Sequence, residues 1–309
     1  MLDALNQVSK VKSVKVVVFT GGETTLYLDQ LLTGISTAKN FGLLTRIVTN
    51  GWWADTELKA RKMLTDLKNA GLDEINTSYD DYHAPFMKIK NIAILVKVAL
   101  ELGFKTIAVA TIVDNTSKYS SDKISSYVAK YVGISEKELR EKVLFLEDFV
   151  TPAGRGTGLS IDSSRVYGNE TSTFKSGLSC QDVVKTISIH PSGDVKACCG
   201  HAMMSVDDLI IGNLNNNSLD DLINLAQKNI VYWWTSTRGP KKILEKIGVD
   251  GEFTSICDAC RVLLVSNKER LVNYIKENKK EIVTHDILLS NPYKDLLQRT
   301  SIVLERNNT

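Results

Sequence analysis

The first half of the chain alternates short, β-branched apolar runs with segments in which apolar residues recur at helical spacing. Strands are predicted at residues 14–19, 45–49, 74–78, 106–113 and 143–146, with a helical segment between each strand and the next. This alternation is typical of βα units and predicts a parallel sheet covered by helices. The sequence therefore predicts an α/β fold, and periodicity alone leaves open whether the sheet stays open or curls into a barrel.

Start and stop signals mark the ends of several predicted helices. Asp55 can cap a helix that Gly71 ends, because a small polar side chain suits the first position and glycine the last. Ser135 and Glu138 have the spacing of a capping box for a short further helix. In the second half, Ser218 can cap an amphipathic helix.

Glycine and polar residues gather where the predicted strands end. Gly21, Gly22 and Glu23 follow the first strand. Ser78 ends the third strand, and Asp80 follows it. Functional sites of parallel α/β folds lie at these carboxyl ends, where glycine admits a ligand closely and a carboxylate can pair with an ammonium group. A tight turn with a solvated Glu23 explains the same motif, and for the motif alone it is the favoured interpretation.

His83 stands beside two carboxylates, those of Asp80 and Asp81. A histidine in such a place can act as a base or as a metal ligand. The same pattern is also typical of a helix start with an ordinary surface histidine. The second interpretation is favoured, because the sequence offers no obvious partner histidine for a metal site.

The βα rhythm ends at about residue 151. A glycine-rich loop and a Ser/Thr-rich segment at 160–179 come next, followed by a predicted β-hairpin over 186–198 that turns at 191–194. This change of character predicts a second domain.

All five cysteines lie in this second half. They are Cys180, Cys198, Cys199, Cys257 and Cys260. The last two form a CxxC, whose spacing lets two thiolates reach one metal centre from a single turn. Four thiolates suit an iron–sulfur cluster or a structural zinc ion, whereas buried free cysteines pack as small apolar groups. Their segregation in the irregular half favours a metal site, with the choice between Cys198 and Cys199 left open.

Composition and charge exclude several classes of protein. Hydrophobic residues make up 43% of the 309 residues and the net charge is +2, so the chain can bury a core and lacks the basic surface typical of nucleic-acid binding. No apolar run has the length of a membrane span, and the first residues do not resemble a signal peptide. We therefore expect a cytoplasmic protein with reduced thiols.

In order and spacing, the motifs resemble those of radical SAM enzymes. The relevant segments are 18–23, 48–51, 78–80 and 154–156, and the segments 189–198 and 211–214 followed by the CxxC are similar to the SPASM or twitch extension of that family. The resemblance covers residues 14 to 260. It implies a partial (β/α)6 barrel over 1–156, with the first βα unit missing, and a smaller α+β cysteine-bearing domain with a helical C-terminus over 157–309.

The resemblance also implies a set of site residues. Gly21, Gly22 and Glu23 would hold the methionyl amine of S-adenosylmethionine (SAM), Ser78 and Asp80 would lie near its ribose or carboxylate, and Arg155 would lie near the end of the last barrel strand. Cys180, Cys198 or Cys199, Cys257 and Cys260 would hold an auxiliary [4Fe–4S] cluster, with zinc as the alternative.

The chain departs from the family pattern at one decisive place. The catalytic cluster of the family is bound by a CxxxCxxC loop ahead of the GGE motif, and no cysteine precedes Gly21 here. Thr24 also stands where the family often has proline. We therefore expect that this chain alone cannot generate the radical, because it is either a truncated enzyme or a degenerate relative.

The resemblance implies a SAM-dependent enzyme that modifies a peptide or small protein or matures a cofactor. The competing class is a non-catalytic, metal-stabilised peptide-binding or scaffold protein. An α/β NAD enzyme is disfavoured, because no GxGxxG follows the first strand.

Overall fold

A computed structural model describes residues 1–114, 116–150, 179–180 and 182–284, except the side chain at position 149. The chain divides into two compact units, Met1–Val150 and Thr151–Thr309. The division therefore falls six residues before the expected domain boundary at residue 156. Arg155 and the Ser/Thr-rich segment up to residue 178 lie outside the described residues.

The first unit is a mixed α/β structure built on a five-stranded parallel sheet. Its strands are β1 (Val16–Phe19), β2 (Leu44–Thr49), β3 (Glu74–Ser78), β4 (Thr106–Val113) and β5 (Leu144–Phe149), in that spatial order. Its helices are α1 (Leu2–Val8), α2 (Leu28–Asn40), α3 (Glu57–Ala70), α4 (Ile89–Glu101), α5 (Ser121–Val132) and α6 (Glu136–Lys142), with a 3-10 turn at Thr24–Tyr27. The α/β prediction is confirmed, and β3 and β4 have the predicted bounds.

One face of this sheet packs against the helices. Ile47, Ile75 and Ile107 point to that face and are at most 1% exposed in a core that also contains α2 to α6 residues. Because side chains alternate along a strand, the residues between them point to the other face. That face leaves apolar side chains exposed on β1, β2 and β5, namely Val16, Val18, Leu44, Leu144 and Leu146.

The helix starts are set by single side chains. The prediction that Asp55 caps α3 is wrong: Thr56 is the cap, and its hydroxyl accepts a hydrogen bond of 3.3 Å from the backbone N–H of Lys59. The cap must be the extended residue directly before the first helical one, and Thr56 fills that position while Asp55 pairs with the Lys59 ammonium at 2.6 Å. Ser135 caps α6 as predicted, through the N–H of Glu138.

The second unit combines a small antiparallel sheet with helices. Its strands are β6 (Ser188–Ile189), β7 (Asp194–Lys196) and β8 (Ile210–Asn213), and its helices are α7 (Leu219–Gln227), α8 (Ile230–Arg238), α9 (Pro240–Lys246), α10 (Ile256–Arg261) and α11 (Lys268–Glu281). The predicted hairpin is β6–β7, and Ser218 caps α7 as predicted. Throughout the part of the chain that the structure describes, no helix is both long and apolar enough to span a bilayer.

Candidate functional site

The CxxC lies on the short helix α10. The Ser255 hydroxyl starts this helix by accepting a 3.1 Å hydrogen bond from the N–H of Asp258. Residues three apart on a helix share a face, so Cys257 and Cys260 project to the same side. Cys260 is 9% exposed and belongs to the core of the second unit.

Cys180 and Cys198 converge on the same place from other segments. Cys198 comes two residues after the end of β7, is 7% exposed, and lies in the same core as Cys260. Electrostatic contacts join Cys260 to Cys180, Cys198 and Cys257. We name these four residues the cysteine cluster. Cysteines from three separate segments of the sequence are therefore near one another in the core of the second unit.

Cys199 lies differently from its neighbour Cys198. Its residue is exposed, and it does not act electrostatically on Cys260, although it lies close enough to Cys257 and Asp182 to interact with them. Cys198 is 7% exposed and belongs to the core of the second unit, whereas Cys199 is exposed. The two candidates for the third ligand, Cys198 and Cys199, thus differ in burial.

Burial favours the protonated form of three thiols of the cysteine cluster, those of Cys180, Cys198 and Cys260, in the free protein. Desolvation is the main cause that raises the pKa of Cys198 to about 12; the neighbouring thiols Cys180 and Cys257 act in the same direction, and the N–H of Gly200 acts against it. Burial likewise raises the pKa of Cys180 and, well above its ordinary value, that of Cys260. A cationic centre stabilises thiolates, so binding of a metal centre to the cysteine cluster releases protons.

Backbone N–H groups already point at two of the sulfur atoms. Those of Asp182 and Val183 donate to the Cys180 sulfur, and that of Gly200 donates to the Cys198 sulfur. Hydrogen bonds of this kind stabilise the charged form of a thiol and tune the potential of an iron–sulfur cluster.

Gly200 and Asp258 lie next to the CxxC sulfurs or between them in sequence. A Cβ atom on Gly200 would lie 2.7 Å from the Cys257 sulfur, so only glycine leaves room for that sulfur. The Asp258 side chain is buried, accepts a 3.2 Å hydrogen bond from the N–H of Thr254 and pairs with Arg261 at 3.0 Å. These contacts fix the turn that carries both CxxC sulfurs.

Thiol ligands suit an iron–sulfur cluster or a structural zinc ion. Within residues 1–114, 116–150, 179–180 and 182–284, no three His, Cys, Asp or Glu side chains form a group that could hold one metal ion.

The second group of predicted site residues lies at the carboxyl edge of the parallel sheet. Gly21 adopts φ +148°, a backbone conformation that favours glycine, and turns the chain after β1. Glu23 follows, and its Oε1 accepts hydrogen bonds from the Thr49 hydroxyl at 2.7 Å and from the hydroxyl of Thr25, while its Oε2 accepts one from the N–H of Asn50 at 2.8 Å. The carboxylate therefore links the ends of β1 and β2 and is not merely solvated.

At the end of β3, Ser78, Asp80 and His83 are joined by hydrogen bonds. The Ser78 Oγ lies 3.2 Å from His83 Nε2, and His83 Nδ1 lies 2.7 Å from Asp80 Oδ1. Asp80 is only 1% exposed. The interpretation of His83 as an ordinary surface histidine misses this contact, which a spacing of three residues from Asp80 and five from Ser78 makes possible in a tight turn.

The cysteine cluster coincides with the part of the chain that a known family covers. Residues 180–261 match the SPASM family, which is described as an iron–sulfur cluster-binding domain. Over 283 residues the chain is 22% identical to YydG of Bacillus subtilis (strain 168), a protein named for peptide biosynthesis, covering 88% of this chain and 83% of that protein. Residues 180–261 are thus similar to an iron–sulfur domain of the SPASM type. Together the two matches support the expected resemblance to SPASM-type radical SAM proteins.

The comparison with solved structures adds no argument about the fold. The carboxyl transferase domain of Rhizobium etli pyruvate carboxylase, solved with pyruvate, aligns at a TM-score of 0.25 with 16% identity over 41% of this chain and 22% of that one. Its Y628A form aligns at a TM-score of 0.23 with 10% identity over 93% of this chain and 61% of that one.

Proposed function

We propose that the cysteine cluster binds one auxiliary [4Fe–4S] cluster, with Cys180, Cys198, Cys257 and Cys260 as ligands and Cys199 outside the set. The observation that carries this proposal is the convergence of these four thiols inside the matched SPASM segment. A bound cluster would supply electron transfer. The chain's own part is to exclude water from the sulfurs and to donate the N–H bonds that stabilise them.

We further propose that the parallel sheet is a partial barrel that binds SAM at its carboxyl edge. The strands follow chain order from β1 to β5 without the reversal of a doubly wound sheet, and helices cover one face, which supports a barrel wall. Gly21, Gly22 and Glu23 hold the amine in this proposal. Oε1 of Glu23 already accepts from the N–H and the hydroxyl of Thr25 and from the Thr49 hydroxyl, so Oε2, with one donor, is the oxygen left for an amine.

The substrate proposed for the chain is a peptide or small protein. This rests on the name of the Bacillus relative and on the family resemblance. Because the 309 residues contain no CxxxCxxC, we propose that they do not generate the radical unaided. The expected observation is no 5′-deoxyadenosine when the purified protein, SAM and a strong reductant are mixed anaerobically.

A second function has one specific observation in its favour. The Glu23 carboxylate already accepts hydrogen bonds from three neighbouring residues, so it can serve as a structural link without any ligand. In that case the protein would be a non-catalytic, cluster-stabilised peptide-binding or scaffold module. The two functions separate on SAM binding, which only the first requires.

The test of the first proposal is anaerobic reconstitution with iron and sulfide. We expect iron and acid-labile sulfide in the ratio of one [4Fe–4S] cluster per chain, and loss of both in the Cys198→Ala variant but not in Cys199→Ala. Equal loss in both variants would contradict the ligand assignment. Stoichiometric zinc with no sulfide in protein purified anaerobically would contradict the cluster itself.

A further inference from the structure

Ser78, His83 and Asp80 form a row in which each member contacts the next. The row starts at the end of β3 with the Ser78 hydroxyl, passes through both nitrogens of the His83 ring, and ends at the buried carboxylate of Asp80. Ser78 shares a strand face with Glu74 and Asn76, because side chains alternate along β3. The helical core of the first unit lies on the other face, and Ser78 is only partly buried, so a ligand can reach its hydroxyl.

The Asp80 carboxylate is buried and accepts hydrogen bonds from within the protein. Its Oδ1 accepts hydrogen bonds from the N–H of Tyr82 at 2.9 Å, from that of His83 at 3.0 Å, and from the His83 ring. Burial raises the pKa of this carboxyl, but the donors from His83 and Tyr82 outweigh it and hold the pKa below its ordinary value. Asp80 is therefore charged and turned inward, which does not suit it to contact SAM directly.

The charge on Asp80 decides how the His83 ring is protonated. An ionised carboxylate can only accept a hydrogen bond, so the proton lies on His83 Nδ1. In the neutral ring Nε2 then carries a lone pair and accepts the proton of the Ser78 hydroxyl. The lone pairs of the Ser78 oxygen are left for a hydrogen-bond donor on a ligand.

The same order of groups occurs in serine hydrolases, but the backbone N–H beside Ser78 is already used within the sheet. A nucleophilic serine needs backbone N–H groups free to stabilise the oxyanion, usually including one beside the nucleophile. The N–H of Tyr79, which follows Ser78, donates to the carbonyl of Ala110 at 3.0 Å. The row therefore suits ligand positioning better than acyl transfer.

We infer that His83, held by Asp80, is a positioning residue that makes Ser78 a hydrogen-bond acceptor for a hydroxyl or ammonium group of the bound ligand. This inference rests on the proposed SAM site. Protonation of His83 Nε2 reverses its hydrogen bond with Ser78, so the hydroxyl must then donate outward. It also places a positive charge next to a cationic ligand, and for both reasons binding weakens.

The other charged groups around His83 have partners of their own. Asp81 accepts hydrogen bonds from the N–H groups of Lys118 and Tyr119, in the segment after β4. From the same segment, Asp114 accepts a 3.2 Å hydrogen bond from the hydroxyl of Tyr82. Asp80 is thus the carboxylate that contacts the ring, and the row is the path by which pH acts on Ser78.

The test measures SAM binding by anaerobic equilibrium dialysis at pH 8.0 and pH 5.5, an interval in which histidine ordinarily changes charge. We expect the affinity of the unmodified protein to fall about tenfold at the lower pH, the value of one hydrogen bond. His83→Gln and Ser78→Ala should each bind equally at both pH values. Asp80→Asn keeps the turn but lacks the charge, so protonation of His83 should require a lower pH in this variant. Its affinity for SAM should therefore fall less between pH 8.0 and pH 5.5 than that of the unmodified protein.

A ligand-free readout accompanies the dialysis. The chain contains four histidines, so the ring nitrogens of His83 can be identified in a ¹⁵N spectrum by their loss in His83→Gln. We expect the Nδ1-protonated tautomer and a shift of Nε2 in Ser78→Ala. A Nε2-protonated neutral ring, or SAM binding with the same pH dependence in His83→Gln, would overturn the inference and leave the SAM site standing. No SAM binding at either pH would instead overturn the proposed site.

Discussion

The Glu23 carboxylate accepts a 2.7 Å hydrogen bond from the hydroxyl of Thr49. Glu23 follows β1, and Thr49 is the last residue of the neighbouring strand β2. Glu23 also accepts a hydrogen bond from the N–H of Asn50. This single side chain therefore shapes the turn on one strand and fixes the end of the next. A ligand held at this edge would meet a preformed arrangement of groups, which lowers the entropy cost of binding.

Replacing Glu23 by glutamine should destabilise the first unit. The amide keeps the volume but turns an N–H₂ group towards Thr49 or Asn50, both of which are donors in the native network. We expect a loss of about 1–3 kcal/mol in the free energy of unfolding, measured in urea. Glu141→Gln, the same change at an exposed position of α6, should stay within about 0.5 kcal/mol. Equal stabilities of the two variants would show that the network contributes nothing.

Removal of one cysteine ligand should abolish cluster binding. Cys260→Ala deletes a buried thiol from the cysteine cluster, so we expect loss of the bound iron and a lower melting temperature of the second unit. The matched change Cys199→Ala, at the exposed neighbour of Cys198, should keep the full iron content. Unchanged iron and melting in Cys260→Ala would refute the assignment.

The metal-free protein should lose stability above about pH 9. The folded thiols have raised pKa values, about 12 for Cys198 against an ordinary 9.0, so the unfolded chain loses these protons first. The stabilisation is therefore complete below pH 9 and decreases as pH rises towards 12, by at most about 1.4 kcal/mol per pH unit for each thiol. Urea unfolding at pH 7.5, 8.5 and 9.5 under anaerobic reducing conditions measures it. Cys198→Ala should show a shallower decrease, and an equally steep one would contradict the prediction.

Gly200→Ala should impair cluster binding without removing any ligand. The new Cβ would lie 2.7 Å from the Cys257 sulfur, so that sulfur or the loop must move. We expect reduced iron content after reconstitution. Gly22→Ala adds the same atom where nothing lies within 4 Å, and its iron content should equal that of the unmodified protein. An unchanged iron content in Gly200→Ala would contradict this prediction and show that the loop accommodates the extra Cβ atom.

The regular parts of the fold are readable from sequence because local patterns determine them. β3 and β4 have their predicted bounds: the β-branched Ile75 and Thr77 alternate with polar residues in β3, and the apolar run of β4 ends at Asp114. The cap of α3 is less accessible, because Asp55 and Thr56 are both good caps and only the backbone geometry selects one. Local signals thus predict the type of an element better than its first residue.

The sites depend on contacts that sequence order hides. The CxxC is visible in the sequence, but which of Cys198 and Cys199 faces it follows from the direction of the chain after β7. His83 is undervalued for a similar reason, since its contact with Ser78 requires the turn that Asp80 forms. Asp258 and Gly200 carry no motif, and their roles come from packing against the CxxC turn.

The cysteine cluster also fixes when the second unit can be finished in the cell. Cys180 lies at one end of the matched segment 180–261 and Cys260 at the other. During synthesis the cysteine cluster cannot form until the ribosome has released the last of its four sulfurs. Until then Cys180 and Cys198 lack their partners, so insertion of the proposed cluster would be a late step in the synthesis of the chain.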